Sequence, residues 1–109
     1  MSPPKRPDIV GLEWDERNEA HVEEHIPPWL VEEMIEGGDW DAFANDDRHP
    51  PEHRKLVGRT PAGIWVTAIL RGPSADNPGF WRPITAWYSA EGEKNRYRAE
   101  RRREGKHRG

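Results

Sequence analysis

The chain has 109 residues, the length of one domain, and only 33% of them are hydrophobic while 34% are charged. It has no cysteine, which excludes a disulfide framework and a thiolate zinc site. The net charge of −3 hides an asymmetry: residues 1 to 53 carry 4 basic and 15 acidic side chains, residues 54 to 90 carry 5 and 1, and residues 94 to 109 carry 8 and 2. Charge divided in this way fits a separate partner for each half, and the basic half suits phosphate. It equally suits simple attraction between the two halves. Leucine, isoleucine and valine are few, and 6 tryptophans carry much of the apolar mass. Such a chain folds alone with a modest margin and has apolar surface to offer a partner. No apolar run approaches a membrane span, and the opening "MSPPKRPD" lacks the apolar stretch of a signal peptide, so the expected location is cytoplasmic.

Residues 1 to 8, with three prolines, read as a loose arm. "IVGLEW" (9 to 14) reads as a short strand. Asp15 then has the character of an N-cap, its carboxylate accepting a free amide of the first helical turn. "ERNEAHVEEH" (16 to 25) favours helix with a narrow apolar stripe, and "IPP" ends it. Pro28 suits the first turn of a second helix, in which Leu30, Val31, Met34 and Ile35 form one face. Gly37 and Gly38 stop it. "DWDAFANDDRHPPE" reads as a loop that touches a strand at Trp40 to Phe43. Three strands are expected next: "HRKLVGRT" (53 to 60), "IWVTAILR" (64 to 71) and "FWRPITAWY" (80 to 88). The first two are joined by a tight turn at "PAG". Pro83 cannot donate to a ladder, so the last strand should lie at an edge or carry a bulge there. A helix from Ser89 to about Arg103 completes a domain over 9 to 103, with 104 to 109 as a frayed basic tail. The order β-α-α-β-β-β-α predicts an α+β fold: a small, mainly antiparallel sheet with the helices on one face.

Three stretches, "LEWDERNEAHVEEHIPPWLVEEMI", "LVGRTPAGIWVTAIL" and "WRPITAWYSAEGEKNRYRAERR", occur in an order and spacing that resembles the BrnT family of toxins. That family's fold is similar to that of RelE-type ribonucleases. The resemblance covers roughly residues 10 to 102. It implies the toxin of a type II toxin–antitoxin system, an RNA-cleaving protein whose partner is a ribbon-helix-helix antitoxin. A homodimer and a toxin–antitoxin heterotetramer are the assemblies open to it. Trp14, Asp15, Asn18, His21 and His25 match the family's opening and first helix. Gly58, Arg59 and Thr60 match a "GRT" motif, Arg82, Ile84, Thr85 and Ala86 match its last strand, and Glu93 and Tyr97 match the closing helix. Two departures stand out. The family often has arginine directly after "ITA", where this chain has Trp87. It also has an arginine early in the strand before "GRT", a place for which His53 and Arg54 compete.

Metal-free RNA cleavage needs a base for the 2′-hydroxyl proton, cations for the charge that builds on phosphate, and an acid for the leaving oxygen. Arginine matches two phosphate oxygens with its planar fork, and histidine titrates near neutral pH. The candidate catalytic residues are therefore His53, Arg54, Arg59 and Arg82, with Arg59 and Arg82 holding the scissile phosphate. Thr60, Arg71 and Tyr97 are the candidate substrate-binding residues. Each has a plainer role open to it: a strand arginine is usually solvated, and Tyr97 equally suits an apolar anchor for the last helix. His21 and His25, and again His49 and His53, are spaced i, i+4, as zinc ligands on a helix can be. Two prolines separate the second pair, so neither a metal nor a cofactor is expected. Trp14, Trp65 and Trp81 read as core, while Trp29, Trp40 and Trp87 suit a core or an interface. If position 87 demands arginine for catalysis, the alternative is a catalytically impaired BrnT-like protein, a binding partner or co-repressor with its antitoxin.

Overall fold

The computed structural model describes residues 9 to 43 and 53 to 108, the last six of these as backbone only. The elements are β1 (Gly11–Leu12), α1 (Glu16–Glu23), α2 (Pro28–Gly37), β2 (Asp39–Phe43), β3 (His53–Arg59), β4 (Trp65–Arg71), β5 (Phe80–Tyr88) and α3 (Glu91–Arg108). The strands form one sheet in the order β1-β5-β4-β3-β2. Among the described residues β1 runs parallel to β5, and the pairings β5–β4, β4–β3 and β3–β2 are antiparallel. The fold is α+β. No helix among the described residues is long and apolar enough to cross a membrane. The expected arm at 1 to 8 and His49 lie outside the described residues.

Local chemistry accounts for most of these elements. Asp15 caps α1: its side chain accepts the Asn18 amide at 2.9 Å, and the Asn18 side chain accepts the Asp15 amide at 2.7 Å. Asn18 is buried, and its side-chain amide also donates to the carbonyls of Glu13 and Pro83, which pins α1 to β5. Pro28 opens α2, whose Leu30, Val31 and Met34 are buried. The turn between β3 and β4 closes when the Gly63 amide donates to the Thr60 carbonyl at 2.9 Å, with Gly63 at φ +88. At Pro83 the β4–β5 register shifts: Thr85 pairs with Ile69 and Pro83 with Leu70, leaving Ile84 as the extra residue. That is the bulge the missing proline donor demands.

Three expectations are corrected. The stretch after α2 is not a loop throughout, because Asp39–Phe43 forms β2, the outer strand beside β3. Gly58 permits this pairing, since a Cβ there would collide with the backbone of Asp39 and Trp40. The helices do not share one face. Val22 of α1, Leu30, Val31 and Met34 of α2, and Ile26 between the two helices pack with Leu56, Val66, Ala68 and Leu70. Tyr97 of α3 packs with Phe43, Val57 and Trp65, which alternate onto the other face. The expected end of the last helix near Arg103 moves to Arg108.

Candidate functional site

Strand alternation puts His53, Lys55, Val57 and Arg59 on the α3 side of β3, while Arg54 and Leu56 point the other way. The chemistry-bearing residues on this side fall into three places along the ladder. At one end, His53 pairs with Arg71, and Arg71 pairs with Arg82. One row of the sheet therefore carries a histidine and two arginines on three neighbouring strands, roughly 5 Å apart from strand to strand. Arg71 is exposed and has no acidic partner among the described residues. Arg82 is held by an ion pair with Asp15. The Asn18 amide, and then Arg82, hold the Asp15 carboxyl below its usual range.

The middle of the ladder is a polar knot. Glu93, at the start of α3, accepts the Thr67 hydroxyl at 3.0 Å, the Trp87 indole N–H at 3.0 Å and the Ala90 amide at 2.7 Å. Its second oxygen lies 2.9 Å from Lys55 Nζ, and the Glu93 side chain is only 13% exposed. Burial raises its pKa, but the Ala90 amide, Lys55 and Trp87 outweigh this and bring it below the usual value. Thr67, fully buried, also shares a 2.8 Å hydrogen bond with Ser89. The Trp87 N–H thus helps fasten α3 to the sheet, and Lys55 supplies the positive charge at that spot.

At the far end, the Arg59 guanidinium lies 5.1 Å from the Trp65 ring centroid, Arg98 lies 5.3 Å and the Lys94 ammonium 5.9 Å from it. Arg59, Tyr97, Arg98, Arg101, Arg102 and Asp39 line an open cleft of about 470 Å³. Arg101 is neutralised by Asp39 at 3.1 Å and Asp41 at 3.2 Å. Arg59 has no acidic partner among the described residues.

These positions separate residues that the sequence alone groups together. Arg59 pairs with Trp65 and Arg82 with Arg71, so the two rows are six residue steps apart along β4. At the rise of a strand this is about 20 Å, too far for both to hold one phosphate. Arg54 faces away from His53. Thr60 is buried, and its hydroxyl accepts the Ile64 amide at 3.2 Å within the β3–β4 turn. Tyr97 is buried edge-on against Trp65, and its hydroxyl accepts from Arg101 at 3.2 Å. Both serve packing here. His53, Arg71 and Arg82 do come together. Lys55 is the residue that sequence reasoning missed; its signal was the alternation His53, Lys55, Arg59 on one strand. Comparison of the chain with protein-family models, with curated proteins and with solved structures gave no match.

Proposed function

We propose that this chain is the toxin of a type II toxin–antitoxin pair, a metal-independent endoribonuclease of BrnT type that works in the cytoplasm beside a ribbon-helix-helix antitoxin. The observation that carries the reading is the row His53–Arg71–Arg82 on three adjacent strands. Arginine side chains on neighbouring strands reach a single phosphodiester. Arg71 and the outer N–H groups of Arg82 then meet the charge that builds on phosphorus as the 2′-oxygen attacks. His53 takes the 2′-hydroxyl proton and, once protonated, can return it to the leaving 5′-oxygen. Arg59 has no part in this step.

The test is incubation of the purified protein with RNA, with and without EDTA, beside Arg71→Ala and His53→Ala. Cleavage that persists in EDTA and falls by about 10²-fold or more in each variant is expected. RNA left intact at high protein excess sinks the reading.

One observation favours the alternative, a binding partner or co-repressor without catalysis. Trp87 stands where the resemblance leads one to expect arginine, and it is engaged with Glu93. Growth arrest on inducing the wild-type gene, absent with Arg71→Ala plus Arg82→Ala, excludes that alternative.

A further inference from the structure

Within one molecule the two charged halves meet where Asp15 pairs with Arg82 and where Asp39 and Asp41 pair with Arg101, and the exposed glutamates of α1 and α2 take no part in these pairs. α1 and α2 lie on one face of the sheet and α3 on the other. Glu16, Glu19, Glu23, Glu24, Glu33 and Glu36 are all exposed on the first side, and none has a cationic partner among the described residues. Among the described residues, Lys94 and Arg98 of α3 pair with Glu91 on the same helix, and Arg101 pairs with Asp39 and Asp41 on β2. Arg101 makes the last described ion pair between α3 and the sheet, yet the helix continues to Arg108. That is about 10 Å of further helix, in a stretch whose sequence is basic.

The acidic side also has apolar anchors. Trp29 is 56% exposed and Val10 is 68% exposed. Trp29, Glu33 and Glu36 are spaced i, i+4, i+7, so they line one face of α2. Beside Glu36, a cleft of about 280 Å³ opens between β1 and α2, lined by Val10, Leu12, Ile35 and Glu32. An exposed tryptophan amid unneutralised carboxylates has the make-up of an interface centre.

We propose that the occupant of this surface is a second copy of the same chain. The basic C-terminal part of α3 from one copy lies along the acidic α1–α2 face of the other, against Trp29, and the exchange is reciprocal, closing a dimer. The proposal is independent of RNA cleavage, and its test uses no RNA.

The experiment is mass measurement by sedimentation equilibrium at low salt (~0.05 M) and high salt (~0.5 M). Wild type is compared with Glu33→Lys/Glu36→Lys and with a chain ending at Arg101. Glu33, Glu36 and Arg102 are exposed, and circular dichroism checks that each variant folds. Twice the 12.7 kDa chain mass is expected for wild type at low salt, falling toward one chain mass at high salt. Each variant alone is expected to weaken dimerisation by about 100-fold or more. The decisive arm mixes the two variants. The charge-reversed chain keeps its basic tail and the shortened chain keeps its acidic face, so they should form a one-to-one complex. A wild type that stays monomeric at low salt, a dimer insensitive to either change, or a mixture that does not associate each overturns the proposal.

Discussion

The two faces of the sheet are built from different materials. On the α1–α2 side, helix and strand meet through hydrocarbon: Val22, Leu30, Val31, Met34, Leu56, Val66 and Leu70 are each at most 2% exposed. On the α3 side, three buried residues form the apolar cluster, Phe43, Val57 and Tyr97, and the rest of the contact is hydrogen bonds, ion pairs and cations over rings. Hydrocarbon contacts are insensitive to pH and nearly so to salt, whereas the α3 contacts depend on which groups are charged. The same molecule therefore has one face that fixes the fold and another whose hold on its helix responds to solution conditions. His53, Lys55, Arg59 and Arg71 lie on the second.

The largest effect should come from breaking the first face. Leu56 is fully buried in the α1–α2 cluster, and Leu56→Ala is expected to destabilise the protein by about 2–5 kcal/mol. Urea unfolding measures it, and the loss should be the same at pH 7 and pH 5. A loss under about 1 kcal/mol would mean that the hydrocarbon face does not carry the fold.

The second prediction concerns the other face. Glu93 gathers one ion pair and three donors, so Glu93→Gln is expected to cost about 1–2 kcal/mol at pH 7. Its folded pKa is depressed below the ordinary glutamate value of 4.5. The stability it contributes is therefore complete above the unfolded value and is lost as the pH falls through the folded one. The gap between wild type and Glu93→Gln should accordingly narrow below pH 4.5, where the wild type itself becomes protonated. A gap that stays constant down to pH 3 would show that shape at position 93, rather than charge, holds α3. Contrasted with Leu56→Ala, this variant separates the two faces by pH alone.

That contrast explains which elements are legible in the residues themselves. α2 can be read because its buried stripe, Pro28 and Gly37–Gly38 all agree. β4 can be read because its run is β-branched and aromatic, and the bulge follows from Pro83. The α3 face resists for a physical reason: its stability lies in partners distant in sequence. β2 reads "DWDAF", and a buried Asp41 in a strand makes sense only when Arg101, 60 residues on, lies 3.2 Å away. Trp87 reads as a lost arginine in the sequence because its partner, Glu93, is across a turn and Lys55 is two strands away. The separation of Arg59 from Arg82 depends on register, which residue types alone do not set. Where a segment's inward side is apolar its role shows locally; where it is polar, the role appears only with the partner.

The smallest expected effect is at the charged fringe of the hydrocarbon face, where Asp15 does two jobs. One oxygen caps α1 by accepting the Asn18 amide, and the other holds Arg82. Asparagine is as good a cap as aspartate but carries no charge. Asp15→Ala should therefore lower stability more than Asp15→Asn, and the difference should register as faster amide exchange in the first turn of α1. The residual loss in Asp15→Asn is the ion pair with Arg82. Being solvent-exposed, that pair contributes little and should vanish in high salt. Its pH sign is fixed too: the Asp15 pKa lies below the ordinary aspartate value of 3.8, so wild type should lose its advantage over Asp15→Asn as the pH falls below that value, and not on raising it. Equal destabilisation by both substitutions would mean that the cap contributes nothing. The grip on Arg82 would then be the sole work of Asp15, and α1 would be held by Asn18 and its hydrocarbon stripe alone.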